Sequence, residues 1–159
     1  MFRTARKTSL IFFFLLFLSS LLCAQDPIRD LEKRVVEHTL KNGMKILITL
    51  QNNDIAPRFD LATEVLIAKI VRGKISGEPR TVLLPGPGSD ELCSLIIREE
   101  ATLVICGGIE EAHFQYLVWK KIEVIDRVIG PAAQAISLAI AKQLRPGAIV
   151  RSETERSTG

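Results

Sequence analysis

The residues best suited to chemistry in this sequence are two cysteines and a histidine in its second half. Cys106 ends an apolar run, Thr102–Cys106, that is typical of a buried strand, and Gly107 and Gly108 follow it directly. A thiolate at a strand end could bind a soft metal or a metal cluster, whereas a buried thiol would only fill apolar space. The glycine pair could let a ligand approach the backbone closely, or it could simply form a turn. The sequence leaves both pairs of alternatives open.

Two further side chains could reach the same place. Cys93 lies early in a helix predicted to begin at Ser89, and His113 lies one turn into the helix predicted after Gly108. Each could be a ligand, but Cys93 could instead face the core and His113 could be a solvated helix residue. In an oxidising compartment Cys93 and Cys106 could also pair as a disulfide.

Motifs for catalysis are missing from the sequence. It contains neither a G-x-S-x-G nucleophile motif nor a G-x-x-x-x-G-K-[ST] phosphate loop. Residues 34–38 end like the zinc motif H-x-x-E-H, but Arg34 stands in the first ligand's place and a guanidinium cannot bind zinc. Asp54, Asp60 and Asp126 could gather as a two-metal site, although the first predicted strand carries no carboxylate. We therefore expect a binding protein and no enzyme activity.

The elements that position these residues alternate between strands and helices. Strands are predicted over Lys45–Leu50, Leu61–Val71, Lys74–Leu84, Thr102–Cys106 and Ile122–Ile125, and helices over Ser89–Ala101, Ile109–Lys121 and Gly130–Leu144. Two strands around Arg72 and Gly73 indicate an antiparallel hairpin, and strands that alternate with helices require parallel pairing. This predicts a three-layer α/β/α domain with a mixed five-stranded sheet.

Ligands of such sheets bind beyond the carboxyl ends of the parallel strands. That rule selects three segments as the predicted site, which are residues 51–60, 106–108 and 126–131.

The first 24 residues are typical of a secretory signal peptide. Arg3, Arg6 and Lys7 precede an apolar run over residues 10–18, and small residues lead to a predicted cleavage after Ala24. This run is shorter than the ~20 residues that span a membrane, so we expect no stable membrane insertion after cleavage. An uncleaved anchor and a lipoprotein modified at Cys23 are the alternatives. Residues 25–43 are then a connector, 44–150 one domain and 151–159 a polar, disordered tail.

The charge balance bears on the kind of partner. Residues 1–24 carry three basic and no acidic residues, so 18 basic and 18 acidic residues remain after cleavage. A neutral chain lacks the basic excess that binds the phosphates of nucleic acids, and we expect no nucleic-acid partner.

Residues 44–150 resemble the dinitrogenase iron–molybdenum cofactor biosynthesis family, which includes nitrogenase accessory factors. The matching segments are MKILITLQNNDIAPRFDLATEVLIAKI, with its I-x-P-x-F motif, and ATLVICGGIEEAHFQYLVWKKIEVIDRVIGPAAQAI. The resemblance implies a ribonuclease-H-like topology and a non-catalytic role in binding or carrying an iron–molybdenum or iron–sulfur cluster. It also implies that the partner is a cofactor-assembly protein.

One residue departs from the pattern of that family. Many members have histidine where this chain has Arg58, so a ligand role there would pass to Cys106, Cys93 or His113, or be absent. An arginine could instead pair with an anionic cluster through charge-assisted hydrogen bonds. Two cysteines cannot supply the usual four ligands of an iron–sulfur cluster. The alternative is a cluster-free protein-interaction module of the same fold.

Residues 31–48 resemble a different family, the opening strand of insulinase-type zinc peptidases. A remote alternative is therefore an inactive fragment of an exported zinc peptidase. Residues 1–43 are either an exported fusion or a join of unrelated coding sequence. We expect an exported or periplasmic protein if the leader is real, and a cytoplasmic one if translation starts at Met44.

Overall fold

A computed structural model describes residues 43–151 of the chain. The predictions for the signal peptide, for the connector up to residue 42, for residues 152–159 and for the peptidase resemblance over 31–42 therefore lie outside the described residues. Within residues 43–151, no helix has the length and apolar character needed to cross a membrane.

The described residues form seven strands and three helices. The strands are β1 Met44–Gln51, β2 Asp54–Ile55, β3 Glu64–Val71, β4 Lys74–Ile75, β5 Arg80–Leu83, β6 Leu103–Ile105 and β7 Glu123–Ile125. The helices are α1 Ser89–Arg98, α2 Glu111–Trp119 and α3 Ala132–Ile140.

All seven strands belong to one mixed sheet in which five strands follow the order β4-β3-β1-β6-β7. The remaining two are short, with β2 paired to β1 and β5 paired to β3. The β1–β3 pairing is antiparallel, whereas β1–β6 and β6–β7 are parallel. The predicted strand Lys74–Leu84 is wrong as one element, because Gly77 at φ 78° and Pro79, which has no N–H, divide it into β4 and β5.

The two faces of the sheet are covered by different helices. On β1, Ile46 and Ile48 pack in one cluster with α3, while Leu47 packs on the opposite face in a cluster with α1 and α2. This is the alternation of side chains that a strand imposes. The structure thus confirms the α/β class, with helices on both faces of a mixed sheet. The prediction of five strands is wrong, because the sheet has seven: β2 is an additional short strand, and the predicted strand 74–84 is divided into β4 and β5.

Each helix ends earlier than the sequence predicted, and all three end in the same way. Glu100, Lys121 and Lys142 adopt positive φ angles of 54°, 65° and 57° two residues beyond the last helical residue. For α1, Ala101 N–H donates to Ile96 O at 3.1 Å and Glu100 N–H to Ile97 O at 3.0 Å, as in a Schellman motif. Glycine is the usual residue at that position, and none of the three helices has one there, so no residue type marks where the helices end.

Candidate functional site

The loop between β2 and β3 lies across the edge where the carboxyl ends of the parallel strands meet. Phe59 N–H donates to Gly108 O at 2.8 Å, and Gly108 N–H donates to Pro57 O at 2.8 Å. Arg58 and Gly108 consequently form a parallel β-bridge between segments 50 residues apart. The structure thus brings Arg58 together with the predicted glycine turn.

The close approach of the Arg58 loop to residue 107 requires a glycine at that position. A Cβ atom at Gly107 would lie 2.4 Å from both Ala56 O and Pro57 O, distances that no side chain can adopt. A Cβ atom at Gly108 would meet only Pro57 O at 3.5 Å, an ordinary contact. The backbone that approaches the glycine pair so closely is therefore the chain's own loop.

Two apolar residues fix this loop to both faces of the sheet. Ile55 is buried in the cluster on the α3 side, and Phe59 is buried in the cluster on the side of α1 and α2. The I-x-P-x-F motif therefore has a structural explanation, because its first and last residues anchor the segment that carries Arg58.

Arg58 points its guanidinium group at the carboxylate of Asp60. Its Nε donates to Oδ1 at 3.0 Å and its Nη2 to Oδ2 at 2.5 Å. This hydrogen-bonded pair raises the pKa of Arg58 and lowers the pKa of Asp60. The two hydrogen bonds to Asp60 hold the Arg58 side chain in one direction. Because this side chain is 56% exposed, its remaining N–H groups are accessible to solvent.

Arg58 also borders an open cleft of about 220 Å³ at the same edge of the sheet. The other lining residues are Leu50, Gln51, Ala56, Pro57, Leu61, Ala62 and Thr63. The sequence selected residues 51–60, and four lining residues lie outside that range: Leu50, Leu61, Ala62 and Thr63. It predicted that a strand begins at Leu61, whereas β3 begins at Glu64 and Leu61 remains exposed beside the cleft.

Cys106 and Cys93 are free thiols inside the core cluster on the α1 and α2 side. Burial, with a smaller contribution from Asp126, raises the pKa of Cys106 to about 12. Burial, with a smaller contribution from Asp90, raises the pKa of Cys93 to about 11. Because the thiolate is the form that binds metal, both side chains are poor ligands in this fold at neutral pH.

His113 lies in the first turn of α2 among acidic residues. Its Nε2 is 3.8 Å from Asp90 Oδ1 and its Nδ1 is 3.8 Å from Glu110 Oε2, and its ring centroid is 6.4 Å from that of Phe59. Phe59 therefore connects His113 to the Arg58 loop. Within residues 43–151, neither Cys93 nor Cys106 is grouped with His113 in a set of side chains that could hold a metal ion.

Over residues 43–151, no group of three or more His, Cys, Asp or Glu side chains is placed to hold a metal ion. The three aspartates considered from the sequence are not assembled into such a group. Instead, Asp60 pairs with Arg58, and Asp126 pairs with Arg127 at 3.0 Å.

Comparison with known proteins identifies similar folds among solved structures but assigns the chain to no family. No family model matches the sequence, and no curated protein matches it. The crystal structure of PH0822 is similar, with a TM-score of 0.60 and 19% identity over 65% of this chain and 94% of that chain.

Two named proteins share the fold as well. A candidate dinitrogenase from Methanocaldococcus jannaschii, MJ0327, has a TM-score of 0.53 and 24% identity over 64% of this chain and 91% of its own. A candidate NifB protein from Thermotoga has a TM-score of 0.50 and 16% identity over 69% of this chain and 98% of its own. These likenesses establish an α/β fold like that of dinitrogenase-related structures, and they give no support to the peptidase resemblance.

Proposed function

We propose that this protein is a non-catalytic accessory of metallocofactor assembly that holds an iron–molybdenum or iron–sulfur cluster as cargo. One observation carries the proposal, namely that Arg58 borders an open cleft at the carboxyl edge of the sheet. The fold shared with a candidate NifB protein and a candidate dinitrogenase supports it. Ligands of open α/β sheets bind at this edge.

The cysteines do not fit a cluster that the chain ligates through sulfur. Cys106 is fully buried, Cys93 is 5% exposed, and both thiols stay protonated at neutral pH. The cargo therefore arrives with its own ligands, and the protein binds it through charge and hydrogen bonds.

Arg58 supplies the positive charge for that binding mode. Two of the five guanidinium N–H groups are engaged by Asp60, so the others can donate to an anionic cluster or to its organic acid. Gln51 and Thr63 add polar groups to the lining of the cleft. Because Asp60 offsets part of the charge of Arg58, we expect an anionic cargo to bind less tightly than it would to an unpaired arginine, which suits a carrier that must release it.

The test uses a preassembled, thiolate-capped [4Fe–4S] cluster or isolated iron–molybdenum cofactor, incubated anaerobically with the full chain. Iron that co-elutes with the protein is the readout. We expect Arg58→Gln to lower bound iron at least fivefold. Arg80→Gln is the matched control, because Arg80 is 55% exposed and pairs with Glu99 outside the cleft, so its removal should change nothing. Cys106→Ser should also retain the iron, since a buried thiol makes no contact with the cargo.

Equal iron in the Arg58→Gln and Arg80→Gln proteins would refute the role of Arg58. Loss of iron in folded Cys106→Ser would show that thiolate ligation, and not charge, holds the cluster. The second candidate function is a cluster-free interaction module, favoured by the exposed aromatic residues Tyr116 and Trp119 on α2. It predicts iron-free protein in the wild type and in every variant.

A further inference from the structure

The cleft beside Arg58 combines apolar walls with a single charged group. Its buried apolar lining residues are Leu50, Ala56 and Ala62. Leu61 also lines the cleft, and its side chain is exposed. Among the described residues that line the cleft, Arg58 alone carries a charge. An occupant that complements this surface therefore has a hydrocarbon body and one anionic group.

In the described part of the chain, the guanidinium group of Arg58 has a hydrogen-bond partner on one of its two forks. Nε and Nη2 donate to the two carboxylate oxygens of Asp60, which occupies the fork on that side. The remaining N–H groups are two on Nη1 and one on Nη2, and one from each nitrogen points in the same direction. This second fork matches the two oxygens of a planar carboxylate. It is also preorganised, because Asp60 already holds the side chain in one direction.

The size of the cleft limits the size of the occupant. Its volume is about 220 Å³, which is below the ~300–1,000 Å³ typical of sites for drug-sized ligands. A carboxylate on a short aliphatic chain is small enough for such a site. Besides Arg58, the lining side chains that carry hydrogen-bond donors are Gln51 and Thr63, so the walls offer few side-chain donors to the sulfides of a metal cluster.

We propose that the cleft binds a carboxylate carried on a short aliphatic chain, with the carboxylate on the second fork of Arg58 and the chain against Leu50 and Leu61. This inference rests on the proposed function, because it names the part of the cargo that enters the cleft. That part is an organic acid of the cluster, or a carboxylate on a capping ligand, and the metal core remains outside.

Pentanoate is the first probe, added to the ¹⁵N-labelled full chain and followed through the backbone amide signals in NMR spectra. We expect the amides of residues 50–63 to shift, with half-saturation between about 0.1 and 10 mM, as for other ligands of this size. Pentanamide has the same shape without the charge, and inorganic phosphate has charge without a hydrocarbon body. Each should bind at least fivefold more weakly than pentanoate.

Arg58→Lys separates the fork from the charge. Lysine keeps the positive charge but has no planar pair of donors, so pentanoate should bind this variant at least fivefold more weakly. Arg80→Lys is the matched control, because Arg80 is also exposed and paired with a carboxylate but does not line the cleft, and it should bind pentanoate like the wild type. The same spectra verify that both variants are folded.

Three results would overturn the proposal. The first is equal affinity of wild type and Arg58→Lys for pentanoate, which would mean that charge alone attracts the ligand. The second is phosphate binding as tight as that of pentanoate, which would mean that the apolar walls contribute nothing. The third is the absence of any shift at about 50 mM pentanoate, well above the expected range of half-saturation.

A pair of clusters separates this inference from the proposed function. One [4Fe–4S] cluster is capped with 3-mercaptopropionate, which carries a carboxylate on a short chain, and the other with 3-mercaptopropanol, which carries a neutral hydroxyl. We expect the wild type to retain at least fivefold more iron from the first, and Arg58→Lys to lose this preference. Equal retention of both clusters would refute the inference and leave the proposed function standing. Retention of neither, with pentanoate still bound, would refute the proposed function and leave the carboxylate site standing.

Discussion

Replacing Gly107 by alanine is the most direct test of how the loop at the carboxyl edge is held. The new Cβ would lie 2.4 Å from Ala56 O and Pro57 O, where ordinary contacts begin at 3.4 Å, so the loop must retreat by about 1 Å. The two hydrogen bonds of 2.8 Å between Gly108 and the loop would then stretch beyond useful length.

The expected loss follows from these contacts. Two hydrogen bonds contribute about 1 kcal/mol each, and a partial withdrawal of buried Phe59 adds about 1 kcal/mol more. We therefore expect Gly107→Ala to lower the free energy of unfolding by about 2–4 kcal/mol. Urea denaturation of the full chain measures this as a lower midpoint at an unchanged slope.

The neighbouring glycine is the matched control for this substitution. At Gly108 the new Cβ would meet only Pro57 O at 3.5 Å, so Gly108→Ala should change the free energy of unfolding by less than about 1 kcal/mol. Equal urea midpoints for Gly107→Ala and Gly108→Ala would refute the conclusion that the loop packs against Gly107 and requires a glycine there. Wild-type stability in Gly107→Ala would refute it as well.

Two more predictions concern stability. The pKa of each buried thiol is raised from 9.0, to about 11 for Cys93 and about 12 for Cys106, so above pH 9 the unfolded chain releases protons that the folded chain keeps. The free energy of unfolding should therefore fall as pH rises from 9 toward 11, measured by urea titration at several pH values, and a Cys93→Ala protein should show a shallower decline. Lys142→Gly should raise the free energy of unfolding by about 0.5–1 kcal/mol, because Lys142 holds φ 57° at the end of α3, whereas Lys142→Ala should give no gain in thermal melts.

The arrangement of the sheet could be predicted because local patterns determine it. β-branched runs mark β1, β3, β6 and β7, the Arg72–Gly73 turn requires an antiparallel hairpin, and the intervening helices require parallel pairing. Helix ends could not be predicted in the same way. Glu100, Lys121 and Lys142 adopt a conformation that is normally signalled by glycine. Backbone hydrogen bonds close each helix end around them, from Ala101 N–H to Ile96 O, from Ile122 N–H to Leu117 O and from Gln143 N–H to Leu138 O.

The sequence predicted which residues lie together at the carboxyl edge of the sheet, but not what their side chains do there. Arg58, Gly107 and Gly108, which the sequence placed at the ends of different strands, do lie side by side. A cysteine that binds metal and a cysteine that only fills the core can occur in the same sequence pattern. Their burial in the folded chain distinguishes the two roles, and both Cys93 and Cys106 are buried. The partner of Gly107 lies about 50 residues earlier in the chain, so no local signal could show that the glycine accommodates a loop.

The order of pairing around β1 has a consequence for how the chain assembles. β1 meets β3 across a short stretch of sequence, but it meets β6 across 57 residues, where Lys45 and Thr102 exchange hydrogen bonds. Contacts between residues that are close in sequence cost less loop-closure entropy, so the antiparallel pair of β1 and β3 is expected to form before β6 and β7 pair in parallel. During synthesis the apolar faces of the β1–β3 pair emerge from the ribosome before the helices that cover them, because all three helices follow β3 in the chain. A nascent chain that stops short of Gly108 is therefore expected to aggregate, and it lacks the residue whose two backbone hydrogen bonds hold the Arg58 loop.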